Sequence, residues 1–357
     1  MPAPFFLCAG TVGAARTCCR RRRRPAHGGE NMPSLQCRLW RMALRLVRRK
    51  QRFASAQALH DEIHRRREAG RAFPSKRLCA RHAVSLERVG GMAVYTVQPR
   101  AAAASGKARH ILYLHGGGYV FDIVSQHWDF IGKLVDALGC AVTVPIYPLA
   151  PEHTHRDVFG AMLPLWQAMQ QRYPDADLTV MGDSAGGGMA LALAQVLRDC
   201  AQPLPRRLVL LSPFLDATGE NPGIDALEPF DPMLSRPGGI ECGRVYAGAD
   251  PVTLPQVSPM RGVLRGLPPT TLFIGTHDIL LPDCRRFREL AQEQGLPLQY
   301  FEYEGMFHVW MLLPMPEADA AFAQIVQAVR RDDSPGTAAA AHAVHTADAA
   351  KEVMDAG

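Results

Sequence analysis

Gly182-Asp183-Ser184-Ala185-Gly186 joins the apolar run Leu178 to Met181 to an Ala-rich helical pattern. A serine on such a strand-to-helix turn is a candidate nucleophile. Glycines two residues before and after it permit a cramped turn that exposes the hydroxyl, with helix N-terminal amides close to any negative charge that develops. Upstream, His115-Gly116-Gly117-Gly118-Tyr119 follows the strand-like Ile111-Leu112-Tyr113-Leu114. Acyl transfer builds an oxyanion, and consecutive glycines let backbone N–H groups point where a Cβ would obstruct the approach. Either motif alone fits an ordinary turn. In this order they suit one reaction, acyl transfer through a serine.

Further segments extend the pattern: Tyr147-Pro148-Leu149-Ala150-Pro151-Glu152-His153, Leu211-Ser212-Pro213-Phe214-Leu215-Asp216 and Leu267-Pro268-Pro269-Thr270. With them the chain, from about Arg81 to Arg331, resembles the hormone-sensitive-lipase-like branch of the α/β-hydrolases, the bacterial family IV esterases. The resemblance implies a serine carboxylesterase acting on short- to medium-chain acyl esters. It implies the amides of Gly117, Gly118 and Ala185 as oxyanion donors, and neither metal nor cofactor.

An acid and then a histidine should follow the serine along the chain. Asp278 comes after the strand-like Thr271 to Gly275, at a strand's carboxyl end, where open α/β sheets collect functional groups. Its rival Asp283 suits the start of a helix over Asp283 to Gln294, where it would complement the dipole. The resemblance favours Asp278, although the related proteins commonly read Asp-Pro-Leu where this chain has Asp278-Ile279-Leu280. Of 13 histidines, His308 lies in the loop after Leu298 to Tyr303 that holds the catalytic histidine of the resembled family. Val309-Trp310 stands where Gly-Phe is common. His115 and His153 are expected to hold loops by hydrogen bonds. In the implied mechanism neutral His308 takes the Ser184 proton, Asp278 fixes its tautomer, and activity falls on the acid side of a pKa near about 6 to 7.

These groups need a parallel sheet to position them. Strand candidates are Ala83 to Glu87, Ala93 to Gln98, Ile111 to Leu114, Ala141 to Ile146, Leu178 to Met181, Leu208 to Leu211, Thr271 to Ile274 and Leu298 to Tyr303. Helical patterns separate most of those after His115, as parallel crossovers require. The expected class is α/β, an α/β-hydrolase fold with a mostly parallel central sheet flanked by helices. Residues 1–34 read as a basic, disordered leader and 35–80 as N-terminal cap helices. Residues 81–333 read as the catalytic domain, with a second cap insertion at about 217–257, and 334–357 as an Ala-rich disordered tail. Phe214, Leu227, Phe230, Met233 and Leu234 are candidate pocket lining. A composition that is 47% hydrophobic is enough for a large core.

Charge is uneven: Met1 to His82 carries 20 Lys+Arg and 4 Asp+Glu, hence +16, and the remainder 20 minus 30, hence −10. The densest run, Arg20 to Arg24, lacks interleaved aromatics or a nucleic-acid-binding motif and reads as a solvated tail. The apolar Met1 to Thr11 precedes its arginines, opposite to a secretory signal, and no apolar run is long enough to span a bilayer. Met32 or Met42 would serve as an alternative start, and an Arg-rich targeting peptide is the other reading of the leader. Nine irregularly spaced cysteines argue against a disulfide framework or zinc site and for a reducing, cytoplasmic compartment. Cys140, Cys200 and Cys284 are expected as buried thiols. The expected partner is a small-molecule ester, with no specific nucleic acid and a homodimer possible. Two alternatives stand beside the esterase. One is an amidase using the same triad, such as an arylformamidase or arylacetamide deacetylase. The other is a noncatalytic small-molecule receptor on the same fold, like the gibberellin receptors of plants.

Overall fold

The computed structural model describes residues 33–101 and 108–331. The run Arg20 to Arg24, the Cys18-Cys19 pair and the tail from Ser334 lie outside the described residues.

The basic N-terminal segment folds as α1 (Leu35–Leu46), a 3-10 turn (Arg49–Phe53), α2 (Ala56–Ala69) and α3 (Lys76–Arg81). Ser34, Ser55 and Ser75 start the three helices, each hydroxyl accepting the backbone N–H three residues on. Three arginines of this segment converge on one buried carboxylate. Glu62 accepts from Arg52, Arg65 and Arg66 at 3.0, 2.7 and 2.7 Å.

Apolar runs then give β1 (Ala83–Val89), β2 (Met92–Gln98), β3 (Arg109–Leu114), β4 (Ala141–Ile146), β5 (Asp177–Asp183), β6 (Arg207–Leu211), β7 (Thr270–Gly275) and β8 (Leu298–Tyr303). They form one sheet in the order β1-β2-β4-β3-β5-β6-β7-β8. β2 runs antiparallel to both β1 and β4. All other pairings are parallel. Parallel neighbours cannot be closed by tight hairpins, so helices carry the chain back over the sheet. They are α4 (Ser125–Leu138), α5 (His155–Arg172) and α6 (Ala185–Asp199), then, after the short α7 (Gly223–Leu227) and α8 (Arg236–Ala247), α9 (Leu281–Gln294) and α10 (Pro316–Arg330).

Alternation along the strands divides the core. Leu112 and Leu114 pack in one layer with residues of α5, α6 and α9, and Ile111 and Tyr113 in the other with α4 and α10. Central strands covered on both faces must be apolar throughout, which is why β3 and β5 read as continuous hydrophobic runs. Residues 217–257 supply α7 and α8, and α8 lies tightly on the N-terminal 3-10 turn: a Cβ on Gly238 would sit 2.6 Å from the Phe53 backbone. The two segments that interrupt the α/β alternation therefore meet. Cys140 and Cys284 are buried, but Cys200 is exposed because it ends α6 at the surface, against expectation. Among the described residues, no helix is long and apolar enough to cross a membrane.

Candidate active site

β5 ends at Asp183 and α6 begins at Ala185, so Ser184 must reverse the chain within one residue. It does so at φ 52° and ψ −121°, a conformation that costs a non-glycine residue on the order of 1–3 kcal/mol. Neighbouring backbone keeps it there, since Ser184 N–H donates to Leu211 O at 2.8 Å and Ser184 O accepts from Phe214 N–H at 2.9 Å. The flanking glycines are needed for contact distance. A Cβ on Gly182 would lie 2.3 Å from Gly186 O, and one on Gly186 only 2.0 Å from Leu114 O.

Asp278 and His308 leave the carboxyl ends of β7 and β8, and their loops are held together. A Cβ on Gly275 would meet Met306 O at 2.2 Å, and His277 N–H donates to Met306 O at 2.8 Å. The result is one hydrogen-bonded line. His308 Nε2 is 2.8 Å from Ser184 Oγ, and His308 Nδ1 is 2.8 Å from Asp278 Oδ2. Asp278 is fully buried, and its other oxygen accepts from Leu280 N–H at 3.0 Å. Burial alone would lower the imidazole pKa of His308. The carboxylates of Asp278, Asp231 and Asp183 outweigh it and hold the pKa above the ordinary histidine value. The rival Asp283 touches neither Ser184 nor His308. It accepts from Asn221 Nδ2 at 2.8 Å, and burial pushes its pKa up to about 7.

Opposite the serine, Gly117 and Gly118 adopt φ of 126° and 64°. The free space they leave is small, with Phe121 O 2.5 Å and Cys242 Sγ 2.7 Å from where a Cβ would stand. The amides of Gly117, Gly118 and Ala185 have no hydrogen-bond partner among the described residues. The loop is fastened by Asp183, which accepts from Tyr113 Oη at 2.7 Å, Gly116 N–H at 3.0 Å and His127 Nε2 at 3.2 Å. His115 joins in as expected: its ring stacks on Tyr147, and Nδ1 donates to Gly116 O at 2.8 Å. His153 does not, because its exposed ring lies 3.9 Å from Asp157 and makes no hydrogen bond to the motif.

A family model described as the alpha/beta hydrolase fold matches residues 111–312. This chain belongs to the α/β-hydrolase family. An esterase of Acinetobacter venetianus is 30% identical over 245 residues, covering 67% of this chain and 79% of that protein. An acetyl-hydrolase of Streptomyces hygroscopicus is 35% identical over 204 residues, covering 57% and 68%. The crystal structure of an esterase from the bacterial hormone-sensitive lipase family superposes with a TM-score of 0.66 at 25% identity, covering 77% of this chain and 97% of that one.

In this α/β-hydrolase a cavity of about 390 Å³ opens in front of Ser184 and His308. Trp40, Leu44 and Phe53 from the N-terminal segment close one side, and Met233, Leu234 and Cys242 from 217–257 another. Phe214, Met233 and Leu234 thus line it as expected, whereas Leu227 and Phe230 do not. Phe230 stacks on His277 at the surface, 47% exposed.

Asp231 escaped the sequence reading. It is buried beside the acid loop, where Oδ2 accepts from Ile279 N–H at 3.0 Å and Oδ1 from Met233 and Leu234 N–H at 2.7 and 2.9 Å. Burial and then the charge of Asp278 raise its pKa to about 6. The departure at Ile279 acquires a reason: a proline there would have no N–H to give Asp231.

Proposed function

We propose that the chain is a serine carboxylesterase for short- to medium-chain acyl esters. Neutral His308 takes the Ser184 proton as Oγ adds to the ester carbonyl, and Asp278 keeps Nδ1 protonated and stabilises the imidazolium. The amides of Gly117, Gly118 and Ala185 receive the oxyanion, His308 protonates the leaving alcohol, and water activated by the same ring clears the acyl-enzyme. The observation that carries this reading is the 2.8 Å and 2.8 Å relay from Ser184 through His308 to Asp278. The esterases and acetyl-hydrolase among its relatives support ester substrates. The cavity volume suits small acyl groups, because a site of about 300–1,000 Å³ takes a small molecule.

Residues 35–80 and 217–257 act together as the cap, excluding water from the site and shaping the pocket. A complete relay favours turnover over ligand sensing. The test is kcat/KM across p-nitrophenyl esters from acetate to laurate, beside the matching anilides. The reading expects a maximum at short or medium esters and at least a hundredfold disadvantage for anilides. Preference for the anilides would replace it with an amidase.

A further inference from the structure

The cavity contains a cation that the ester chemistry leaves unused. Arg49, at the start of the 3-10 turn, lines the pocket together with Ser184 and His308. It makes no hydrogen bond or ion pair among the described residues. Glu62 is the carboxylate whose field draws on it most among the described residues, and the charges of Arg66, Arg52 and Arg65 oppose that attraction. Glu62 is fully occupied. One of its oxygens accepts from Arg52, Arg65 and Arg66, and the other from Arg65 Nε at 2.7 Å. Three guanidinium groups thus hold this carboxylate, and Arg49, which also lines the pocket, has no hydrogen-bond or ion-pair partner among the described residues.

Burial, more than its neighbours, pulls the Arg49 pKa down to about 9, so the group is charged at neutral pH and poorly solvated. A desolvated charge without a counter-ion is costly in a stable fold unless a ligand completes it. Arg66 stands beside it on the same wall, with Nε held by Glu62 at 2.7 Å and its guanidinium 4.5 Å above the Phe121 ring. The other acidic wall residues are Asp122, whose field acts on His115, and Asp183, which is bound to His127. Neither forms an ion pair with Arg49.

We propose that the physiological ester carries a carboxylate, and that Arg49 is its counter-ion in the pocket. A planar guanidinium with free N–H groups donates two parallel hydrogen bonds to a carboxylate, which fixes the far end of the substrate while the ester carbonyl lies at Ser184. Apolar residues such as Leu44, Phe53, Leu234 and Leu312 line the same cavity, a lining suited to a methylene chain. The inference rests on the proposed esterase reading and sharpens it to half-esters of dicarboxylic acids or esters of hydroxy acids.

Two matched pairs test it by alcohol or acetate release: ethyl hydrogen adipate against ethyl hexanoate, with the charge on the acyl side, and 4-acetoxybutanoate against butyl acetate, with the charge on the alcohol side. In one pair the charged ester should exceed its neutral partner at least tenfold in kcat/KM. Arg49→Gln should lower that ratio at least tenfold, with Arg49→Lys in between. Faster turnover of the neutral ester in both pairs, or equal losses on both partners in Arg49→Gln, would overturn the proposal. A second readout does not need catalysis. Adipate should raise the melting temperature of the wild type and of Ser184→Ala at concentrations that leave Arg49→Gln unmoved. If no ester is turned over yet adipate still discriminates, the esterase reading fails and the anion site stands. If adipate does not discriminate, the anion site fails.

Discussion

Replacing Asp278 by asparagine tests the relay with almost no change of shape. Two donors face this buried side chain, Leu280 N–H on one oxygen and the His308 ring on the other, at 3.0 and 2.8 Å. An amide can accept from only one of them. If its oxygen keeps Leu280, its NH2 meets His308 Nδ1, and the ring must carry its proton on Nε2, where it donates to Ser184 instead of accepting. Turning the amide restores the useful tautomer but opposes two donors at Leu280, costing about 1–3 kcal/mol for the unsatisfied buried group. Loss of the negative charge beside the buried imidazolium adds about 3–5 kcal/mol. Together these raise the barrier by roughly 4–8 kcal/mol, so kcat should fall about 10³- to 10⁶-fold. The assay is kcat for p-nitrophenyl butyrate at pH 8, with circular dichroism and a melting curve to establish folding. A folded Asp278→Asn within tenfold of wild type would refute the reasoning. Asp283→Asn serves as the control and should keep kcat within about threefold, since Asp283 bonds Asn221 and neither reacting group.

Asp283→Asn has its own signature in stability. Its carboxyl titrates at about 7 in the folded chain because of burial, so the native state retains a proton that the unfolded chain releases near pH 4. Stability should therefore fall as pH rises between about 4 and 7, and the asparagine variant should gain on the order of 4 kcal/mol at pH 8 and little at pH 4. Denaturant titrations at the two pH values check the sign. In Gly186→Ala the new methyl would stand 2.0 Å from Leu114 O and 2.6 Å from His115 O, both backbone atoms, so a destabilisation of about 3 kcal/mol or more is expected in thermal melts. The pH profile should have its acid limb above the ordinary histidine value, because the carboxylates raise the His308 pKa and only the neutral ring accepts the serine proton. Removing the charge of Asp231 in Asp231→Asn should shift that limb to lower pH, and an unmoved limb would exclude Asp231 from the field at His308.

Much of the fold is written in local patterns. The central strands β3 to β7 are visible as apolar runs, because a strand covered on both faces tolerates little else, and the turn at Ser184 is visible because two glycines must clear Gly186 O and Leu114 O. Asp278 and His308 have no such local signature. Thirteen histidines offer themselves, and only the resemblance singled out the loop at His308. Asp231 and Arg49 were not legible at all. Asp231 acts on Ile279 across 48 residues, and Arg49 looks like one more charge in a basic helical stretch until the pocket wall is seen around it. Phe230 shows the opposite failure. Hydrophobicity marked it as lining, but the packing of 217–257 turned it outward onto His277.

Covalent capture at the serine addresses the central claim most directly. Diethyl p-nitrophenyl phosphate should release one equivalent of p-nitrophenol, abolish esterase activity in parallel, and add a single diethylphosphoryl group that peptide mass spectrometry places on Ser184. A label on any other residue, or full activity after Ser184 has been labelled, would contradict a mechanism that runs through this hydroxyl.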